Sequence, residues 1–330
     1  MVRIQSDSIL AGAPIFGTLG KTSTLADRVI AAAYQIALLE APAPAGPDYA
    51  PWDQMMVISL GRLGMEEFDL GSDADLLFVI PDADAAEHNY WSAVAERMIQ
   101  TLSSYTGEGV MFTVDTRLRP NGREGELVQT EGSYREYFAS HAEAWEGITY
   151  MKSRAVAGNL ERATEFLHKL QDLDWRRYGQ SMRSKTQLAE MRARLEREQG
   201  PRNPLKAGAG GYYDIDFALM YLRLKGAGIF YPVLNTPERI DVIEKMGHLD
   251  REDADFLREA ATFYRALDHG QRVLTGHAEG SLPAAATQFE LLAELVKRWT
   301  PEHLHRQRLD VTLREIRLRT RDFFNRVFGR

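Results

Sequence analysis

The sequence predicts an α+β fold in which a small mixed sheet is followed by an all-α helical bundle. Two short apolar runs, Met55–Leu60 and Ala74–Ile80, are typical of buried strands, and Val110–Arg117 indicates a third strand. A helix is predicted between the second and third strands, at about His88–Ser104, and strands that alternate with a helix indicate a mixed α/β sheet. From Glu131 onward, apolar residues recur three and four positions apart, which favours packed helices.

The chain divides into a helical lead-in and two domains. The first 16 residues have no clear period, so we expect them to be loosely structured, whereas Leu25–Leu39 predicts a helix. That helix is expected to stop in the proline-rich linker Ala41–Pro47, since proline cannot continue a helix. The expected boundaries give a lead-in at 1–47, a catalytic domain at 48–158 and a helical bundle at 159–330. Helices of the bundle are predicted at 183–199, 250–274 and 301–328.

Composition narrows the classes of function. The sequence has no cysteine, so disulfides and thiolate metal ligands are excluded. Its formal net charge is -7, which argues against nucleic acid as the main partner. No apolar run approaches the roughly 20 residues that span a bilayer, and the N-terminus lacks a secretory pattern. We therefore expect a cytoplasmic protein that binds neither membrane nor nucleic acid.

Two aspartates at the start of the second strand form the strongest candidate site. Asp73 and Asp75 alternate along a strand, so both carboxylates point to one face, where a divalent cation such as Mg²⁺ or Mn²⁺ would relieve their repulsion. Gly71 and Ser72 predict a tight turn able to hold a phosphate, and Asp115 could bring a third carboxylate to the same edge. The alternative is a turn whose aspartates only cap it or face solvent.

Several cations are candidates for phosphate contacts, each with a structural alternative. Arg117 and Arg119 suit bidentate phosphate binding, or they form ion pairs with the aspartates. Lys152 and Arg154 have the same alternate spacing, and they contact substrate or belong to a solvated basic face. Lys206 precedes a glycine-rich segment that is either a phosphate-binding loop or a simple interdomain turn.

Two further acids and one aromatic residue have structural alternatives as well. Asp214 and Asp216 are predicted at the start of a helix, where acids also serve as ordinary N-terminal charges. Trp145 is expected in the core rather than against a nucleotide.

Four blocks, in the same order along the chain, resemble the glutamine synthetase adenylyltransferase family of nucleotidyltransferases. The blocks extend over roughly residues 55–228. The first block consists of Gly61-Arg62-Leu63-Gly64, Glu67-Phe68 and Gly71-Ser72-Asp73-Ala74-Asp75-Leu76, and the second of Val114 to Gly122, Gly125, Leu127-Val128 and Glu131. The third consists of Ala144-Trp145-Glu146 and Lys152 to Gly158, and the fourth of Gly208 to Gly211 and Asp214-Ile215-Asp216-Phe217. This chain departs from the family pattern at Arg62, usually lysine, at Met65, usually glycine, and at Asp216, usually glutamate.

The resemblance implies a nucleotidyltransferase domain that transfers AMP from ATP to a tyrosine of glutamine synthetase. It implies that Asp73, Asp75 and Asp115 hold the metal and perform catalysis. It also implies that nucleotide contacts come from Gly71, Ser72, Arg62, Arg117, Arg119, Lys152, Arg154, Lys206, Asp214 and Asp216. Glutamine synthetase is the implied partner, with a nitrogen-signalling regulatory protein as a second one.

Other interpretations stay open at this point. Members of the family usually carry two nucleotidyltransferase units, one for each direction, and this chain has one. The Pro120-Asn121-Gly122 and Ala144-Trp145 blocks favour the adenylylating unit, whereas 206–211 resembles the unit that removes AMP by phosphorolysis. A degenerate nucleotide-binding module without turnover and transfer to a small-molecule hydroxyl are the alternatives.

Overall fold

The computed structural model describes residues 1–41, 44, 51, 54–107, 109–179, 181–226 and 235–329. Its strands are β1 Met56–Ser59, β2 Ala74–Ile80, β3 Val114–Asp115, β4 Val128–Thr130 and β5 Arg154–Gly158. Its α-helices are α1 Val2–Ala11, α2 Ile15–Glu40, α3 Gly61–Gly64, α4 His88–Ser103, α5 Glu131–Ser140, α6 Ala144–Tyr150, α7 Leu160–Asp174, α8 Met182–Gln199, α9 Tyr212–Gly226, α10 Thr236–Lys245, α11 Arg251–Thr275, α12 Ala286–Trp299 and α13 Leu309–Phe328. The predicted fold class, α+β with a small mixed sheet and many helices, is confirmed.

The sheet has β2 near its centre. Strand β1 pairs antiparallel with both β2 and β5, and β2 pairs in parallel with β3 at its start and with β4 at its end. The strand order is β3-β2-β1-β5, with β4 also on β2. The start of β2 therefore meets β3 at one edge of the sheet, where the candidate carboxylates lie.

Both faces of the sheet are covered by helices. Val57, Leu76 and Phe78 pack against α2 and α4, whereas Ile58 and Leu77 pack against α5 and α7. Successive side chains of a strand point to opposite faces, so strands buried on both faces are apolar at almost every position. This is why the sequence shows β1 and β2 as continuous apolar runs.

The helical half has its own core, which also reaches the N-terminal elements. This core gathers apolar side chains of α8 to α13 together with Ile15 and Leu19 of α2 and Ile148 of α6. The long helix α11 contacts α2 directly. No helix within the described ranges is long and apolar enough to cross a membrane.

Four expectations about local structure need correction. Residues 1–16 are mostly helical, because α1 packs against the last helices: Trp299 Nε1 donates to Ser8 O at 3.0 Å. Strand β3 is shorter than predicted, since Val110 and Met111 are exposed. Strand β5 was missed within a region expected to be helical, and the last helix begins at Leu309 rather than at Pro301.

The predicted linker Ala41–Pro47 lies outside the described residues, apart from Ala41 and Pro44. The division into a lead-in, a catalytic domain and a bundle stays a proposal.

Candidate active site

Parallel pairing of two short strand segments brings two of the predicted carboxylates side by side. Asp75 of β2 is in register with Asp115 of β3, and Ala74 is in register with Val114. Neighbouring strands lie about 4.8 Å apart, and residues in register point to the same face. Asp73 lies two residues before Asp75, just ahead of the first residue of β2, and its charge acts on Asp75. Asp75 and Asp115 are thus adjacent where β2 begins, with Asp73 next to this edge along the chain.

The electrostatics of Asp75 show how crowded this edge is. Burial and the nearby charge of Asp115, with a smaller contribution from Asp73, raise the pKa of Asp75 to about 6. The ammonium groups of Lys206 and Lys152 act in the opposite direction. A carboxyl group whose ionised form is disfavoured by burial and by two neighbouring acids gains from a bound cation.

Gly61 forms the wall beside the Asp75 carboxylate. Its φ is +58°, in the left-handed region that favours glycine, and a Cβ at this position would overlap Asp75 Oδ2. The backbone N–H of Leu60 donates to Asp75 O at 2.9 Å and fixes the two segments together. The glycine at the start of α3 is thus required by the carboxylate, a role that the sequence did not reveal.

Asp115 is held by Arg117. The backbone N–H of Arg117 donates to Asp115 Oδ1 at 2.9 Å, and its Nε donates to Oδ2 at 2.7 Å. Burial opposes ionisation of Asp115, but these hydrogen bonds and the charge of Arg117 lower its pKa. The structural alternative that we considered for Arg117, an ion pair with an aspartate, is therefore present. Asp73 accepts a hydrogen bond from the Thr113 hydroxyl.

The donor chemistry of this edge suits a hard divalent cation, since all three acids offer carboxylate oxygens. Within the part of the chain that the structure describes, however, no three acidic or histidine side chains converge closely enough to hold a metal ion. The positive charge next to Asp115 is instead the Arg117 guanidinium. Metal binding by all three acids therefore requires Asp115 to exchange its contact with Arg117 for the ion.

Gly71 and Ser72 lie in the turn that leads into Asp73. Gly71 has a φ of +57°, and a Cβ on it would lie 2.5 Å from Gly276 O, so a glycine is needed at this contact with the end of α11. The N–H of Ser72 donates to Asp69 O at 3.1 Å. Its Oγ is buried and has no hydrogen-bond partner among the described residues. The turn is thus held against the helical half of the molecule.

Arg62 and Met65, the two departures in the first block, point towards the helical half. Arg62 Nε donates to Glu67 O at 2.8 Å, and its guanidinium pairs with Asp268 and, at 3.5 Å, with Asp69. Met65 Sδ lies 2.7 Å from Arg239 Nη2. The expected phosphate contact of Arg62 is therefore replaced in this structure by ion pairs across the molecule.

Lys152 and Asp216 form one buried pair. Lys152 Nζ lies 2.8 Å from Asp216 Oδ2, and Arg239 Nη1 lies 3.5 Å from Asp216 Oδ1. Burial opposes ionisation, but Lys152 and Arg239 hold the pKa of Asp216 at about 2. The charge of Lys152 also acts on Asp75, so this pair connects α9 with the carboxylate edge.

Three other predicted residues are used in building the fold. Arg154 makes a bidentate ion pair with Asp27 of α2, at 2.7 and 2.8 Å. Arg119 donates to carbonyl oxygens of its own loop, and buried Asp214 pairs with Arg192 at 2.6 Å. These contacts also differ from the structural alternatives given by the sequence. Arg119 is not paired with an aspartate of the site, Arg154 does not belong to a solvated face, and Asp214 is more than an N-terminal helix charge.

Lys206 differs from these residues. Its side chain is exposed, its Nζ lies 5.2 Å from the centroid of the Tyr213 ring, and its charge acts on Asp75. It comes from the helical half and is placed near the carboxylates without a buried ion pair of its own in the described chain.

A buried ionic network, which sequence reasoning missed, joins the loop before Gly71 to α11. Glu67, fully buried, pairs with Arg265 at 2.5 Å and accepts from the Thr236 N–H at 2.6 Å. Asp69 Oδ1 lies 2.8 Å from His269 Nδ1. We call this set of residues the α11 network; it comprises Arg62, Glu67, Asp69, Arg265, Asp268, His269 and Arg272.

The signal for this network was present in the sequence. Arg265, Asp268, His269 and Arg272 are spaced at i, i+3, i+4 and i+7, which places four polar side chains on one face of a predicted helix. Such a stripe is usually solvated, and only the fold shows that it faces Glu67 and Asp69.

Comparison with known proteins gives a consistent result. A model of the family described as glutamate-ammonia ligase adenylyltransferase matches residues 1–169, and one described as GlnD PII-uridylyltransferase matches residues 180–328. The chain is similar to proteins named bifunctional glutamine synthetase adenylyltransferase/adenylyl-removing enzyme. It is 32% identical to the protein of Mycobacterium leprae over 89% of this chain. It is 30% identical to the proteins of Nocardia farcinica and Corynebacterium efficiens, over 92% and 99% of this chain respectively. It spans only 30%, 30% and 32% of the length of those relatives.

Proposed function

The chain belongs to the glutamate-ammonia ligase adenylyltransferase family, and from this premise we propose that it transfers AMP from ATP to a tyrosine hydroxyl of glutamine synthetase. The observation that carries the proposal is the in-register pairing of Asp75 with Asp115, next to Asp73 at the start of β2. Carboxylates gathered in this way suit phosphoryl chemistry, in which catalysis is mostly positioning and charge neutralisation.

In the proposed reaction, the tyrosine oxygen attacks the α-phosphorus of ATP. A new O–P bond forms, the bond to the β-phosphate oxygen breaks, pyrophosphate leaves, and the phenol proton is released. Asp73, Asp75 and Asp115 would hold Mg²⁺ or Mn²⁺, which when bound neutralises charge on the phosphate oxygens.

Protein groups supply the remaining charge. Lys206 is exposed and acts electrostatically on Asp75, so it is suited to hold the phosphate chain beside that carboxylate. Lys152 is held by Asp216 and contributes a fixed positive charge close to Asp75. The Gly71-Ser72 turn contributes Ser72 Oγ, a hydroxyl without a partner in the described structure.

Removal of AMP is the second candidate direction, and it is favoured by the names of the relatives, which include an adenylyl-removing activity. In that direction inorganic phosphate attacks the AMP phosphorus, the tyrosine is released, and ADP is formed. The same carboxylates would serve both directions.

A degenerate nucleotide-binding module is the third candidate. It is motivated by the Arg117 contact of Asp115 and by the ion pairs of Arg62. The proposal has two further parts, which rest on family membership alone. They are a cytoplasmic location and control by a nitrogen-signalling regulatory protein.

The test incubates the protein with Mg²⁺, α-labelled ATP and unmodified glutamine synthetase, in parallel with Asp73→Asn. We expect label on the synthetase with the wild type and none above background with the variant. A second reaction supplies adenylylated synthetase and inorganic phosphate and measures ADP. ADP formation without label transfer would show that the chain removes AMP rather than transferring it. Absence of both activities would favour the degenerate module that binds nucleotide without turnover.

A further inference from the structure

A half-open pocket of about 350 Å³ lies beside the carboxylate edge. Arg117, whose guanidinium pairs with Asp115, forms its wall nearest to the catalytic acids. The wall is continued by residues of the 118–122 loop, of α5 and of α6, including Asn121, Tyr137, Trp145 and Tyr150. The pocket therefore opens next to Asp115 and continues away from it between the loop and the two helices.

Hydrogen bonds fix the aromatic side chains of this pocket. Trp145 Nε1 donates to Glu143 Oε2 at 2.7 Å, and Tyr137 OH donates to Glu146 Oε1 at 2.6 Å. Tyr150 OH donates to Leu118 O at 2.8 Å and joins α6 to the loop that follows β3. Rings held in this way form a pre-organised surface for another aromatic or apolar side chain. Trp145, which the sequence assigned to the core, lines the pocket while it also packs on the helical core.

The charges of the pocket do not suit a triphosphate. Four charged side chains line the pocket, Arg117, Arg119, Glu143 and Glu146. Arg117 is paired with Asp115 and Arg119 donates to carbonyl oxygens of its own loop, whereas the two carboxylates would repel phosphate groups. In the strand order β3-β2-β1-β5, Asp115 of β3 lies on one side of Asp75, and Lys152, which precedes β5, lies on the other side. A fixed positive charge is thus available on the β5 side of Asp75, whereas the aromatic pocket begins at Arg117 on the β3 side.

An in-line displacement needs the attacking and leaving oxygens on opposite sides of the phosphorus. If the phosphate chain lies on the side of Asp75 that faces Lys152, the attacking hydroxyl must come from the Asp115 side, where the pocket opens. We propose that this pocket is the acceptor subsite, which receives the tyrosine-bearing segment of the protein acceptor. This inference rests on the proposed function and adds to it the surface by which the acceptor is recognised.

The size and composition of the pocket agree with such an occupant. A volume of about 350 Å³ accommodates an aromatic side chain with its adjoining peptide. Asn121 and the carboxylates of Glu143 and Glu146 offer hydrogen bonds to peptide groups around that ring. The acceptor would place its hydroxyl towards Asp115 and its backbone towards the 118–122 loop.

The test measures binding as well as turnover. Surface plasmon resonance gives the Kd for unmodified glutamine synthetase, and calorimetry gives the Kd for Mg-ATP, for the wild type, Trp145→Ala and Trp145→Phe. Met182→Ala is the control, because it truncates an apolar side chain that is 74% exposed on α8 and does not line the pocket. Thermal unfolding of each variant shows whether the fold is retained.

We expect Trp145→Ala to weaken synthetase binding about tenfold or more, as loss of a central aromatic contact does, while the affinity for Mg-ATP changes less than about twofold. Trp145→Phe keeps an aromatic ring, so its affinity for the synthetase is expected to lie between those of the wild type and Trp145→Ala. Because it removes less of the side chain, it also tests the pocket in case Trp145→Ala does not fold. Unchanged synthetase affinity in Trp145→Ala would overturn the assignment. Weaker ATP binding with unchanged synthetase binding would overturn it too, and would assign the pocket to the nucleobase.

The two proposals can fail separately. If the wild type binds glutamine synthetase through Trp145 but catalyses neither AMP transfer nor removal, the subsite stands and the proposed function fails. If label transfer occurs and Trp145→Ala leaves KM for the synthetase unchanged, the function stands and the subsite fails.

Discussion

At the scale of single residues, the carboxylate edge depends on a glycine as much as on its acids. Gly61→Ala would put a methyl group against Asp75 Oδ2 at a φ of +58°. The left-handed backbone alone costs about 1–2 kcal/mol for a residue with a Cβ, and the displaced carboxylate should lower AMP transfer by about 10²-fold or more. Activity assays and urea unfolding of the variant measure both effects.

Gly17→Ala is the matched control for this substitution. Gly17 lies within α2, and nothing is within 4 Å of the Cβ that the change adds. We expect this variant to be more stable by about 0.5–1 kcal/mol, with unchanged activity. Wild-type activity in Gly61→Ala would show that the Asp75 carboxylate does not need its present position.

A buried acid outside the candidate site gives a pH-dependent prediction. Neither carboxylate oxygen of Asp174 has a hydrogen-bond partner in the described structure, and burial raises the pKa of Asp174 well above its usual value. The pKa of Asp174 is therefore higher in the folded state than in the unfolded state, where it is about 4. The contribution of Asp174 to the free energy of unfolding is fully present below the pKa of the unfolded state, and it is lost as the pH rises through the pKa of the folded state.

Asp174→Asn removes this titration. Its free energy of unfolding should exceed that of the wild type, and the difference should be larger at pH 8 than at pH 5. Urea titrations at the two pH values measure it. A difference that does not change with pH, or a variant less stable at pH 8, would show that Asp174 is not a buried, disfavoured carboxylate.

At the scale of elements, helix α11 fixes the segment that leads into Asp73. Asp268 pairs with Arg62 and, at 3.0 Å, with Arg272, which in turn donates to Leu70 O at 2.5 Å. Asp268→Asn removes the carboxylate that Arg62 and Arg272 share and leaves Arg62 only its 3.5 Å contact with Asp69, so we expect a loss of stability of up to about 3 kcal/mol. The segment that leads into Asp73 would be displaced but still present. We therefore expect a larger fold-decrease in kcat than the fold-increase in KM for ATP.

Asp255→Asn is the control on the same helix. Asp255 is 61% exposed at its side chain and pairs with Arg258 on the surface, where an ion pair contributes little. Stability and kcat close to those of the wild type are expected for it. An equal loss of kcat in both variants would contradict a specific role of the α11 network in positioning the loop.

The elements that the sequence predicted well are those whose pattern is local. β2 was predicted at its observed bounds, because a strand buried on both faces is apolar along its whole length. Short β5 was missed because its residues Arg154–Gly158 are mostly small and carry no such run. α1 was missed because its helical state depends on contacts with Trp299, more than 280 positions away.

The candidate site divides in the same way. The strand spacing predicts that Asp73 and Asp75 share a face, and this stays a prediction because Asp73 lies just before β2. The pairing of Asp115 with Asp75 depends on the register of two parallel strands, which no local pattern reveals. Three ion pairs could not be read from spacing, because their members are 206, 127 and 64 residues apart: Arg62 with Asp268, Arg154 with Asp27, and Lys152 with Asp216.

At the scale of the whole molecule, the two halves should unfold together. The α11 network is buried between the sheet domain and the helical half, and the helical core includes Ile15 and Leu19 from the N-terminal part. Separation of the halves would leave Glu67 and Arg265 without their partners, which is costly for groups that are almost completely buried. We expect one cooperative calorimetric transition in the wild type, and two resolved transitions would contradict this coupling.

The most direct test of the account is the rate of AMP transfer in Asp75→Asn. This change removes the charge at the centre of the acidic edge and keeps the shape of the side chain. Asp172→Asn is the control, because that acid pairs with Arg176 on the surface of α7 at 2.9 Å. With Mg²⁺, α-labelled ATP and glutamine synthetase, we predict a rate about 10²-fold or more below the wild type for Asp75→Asn and a wild-type rate for Asp172→Asn. Equal rates in Asp75→Asn and the wild type would contradict the claim that this edge is the catalytic site.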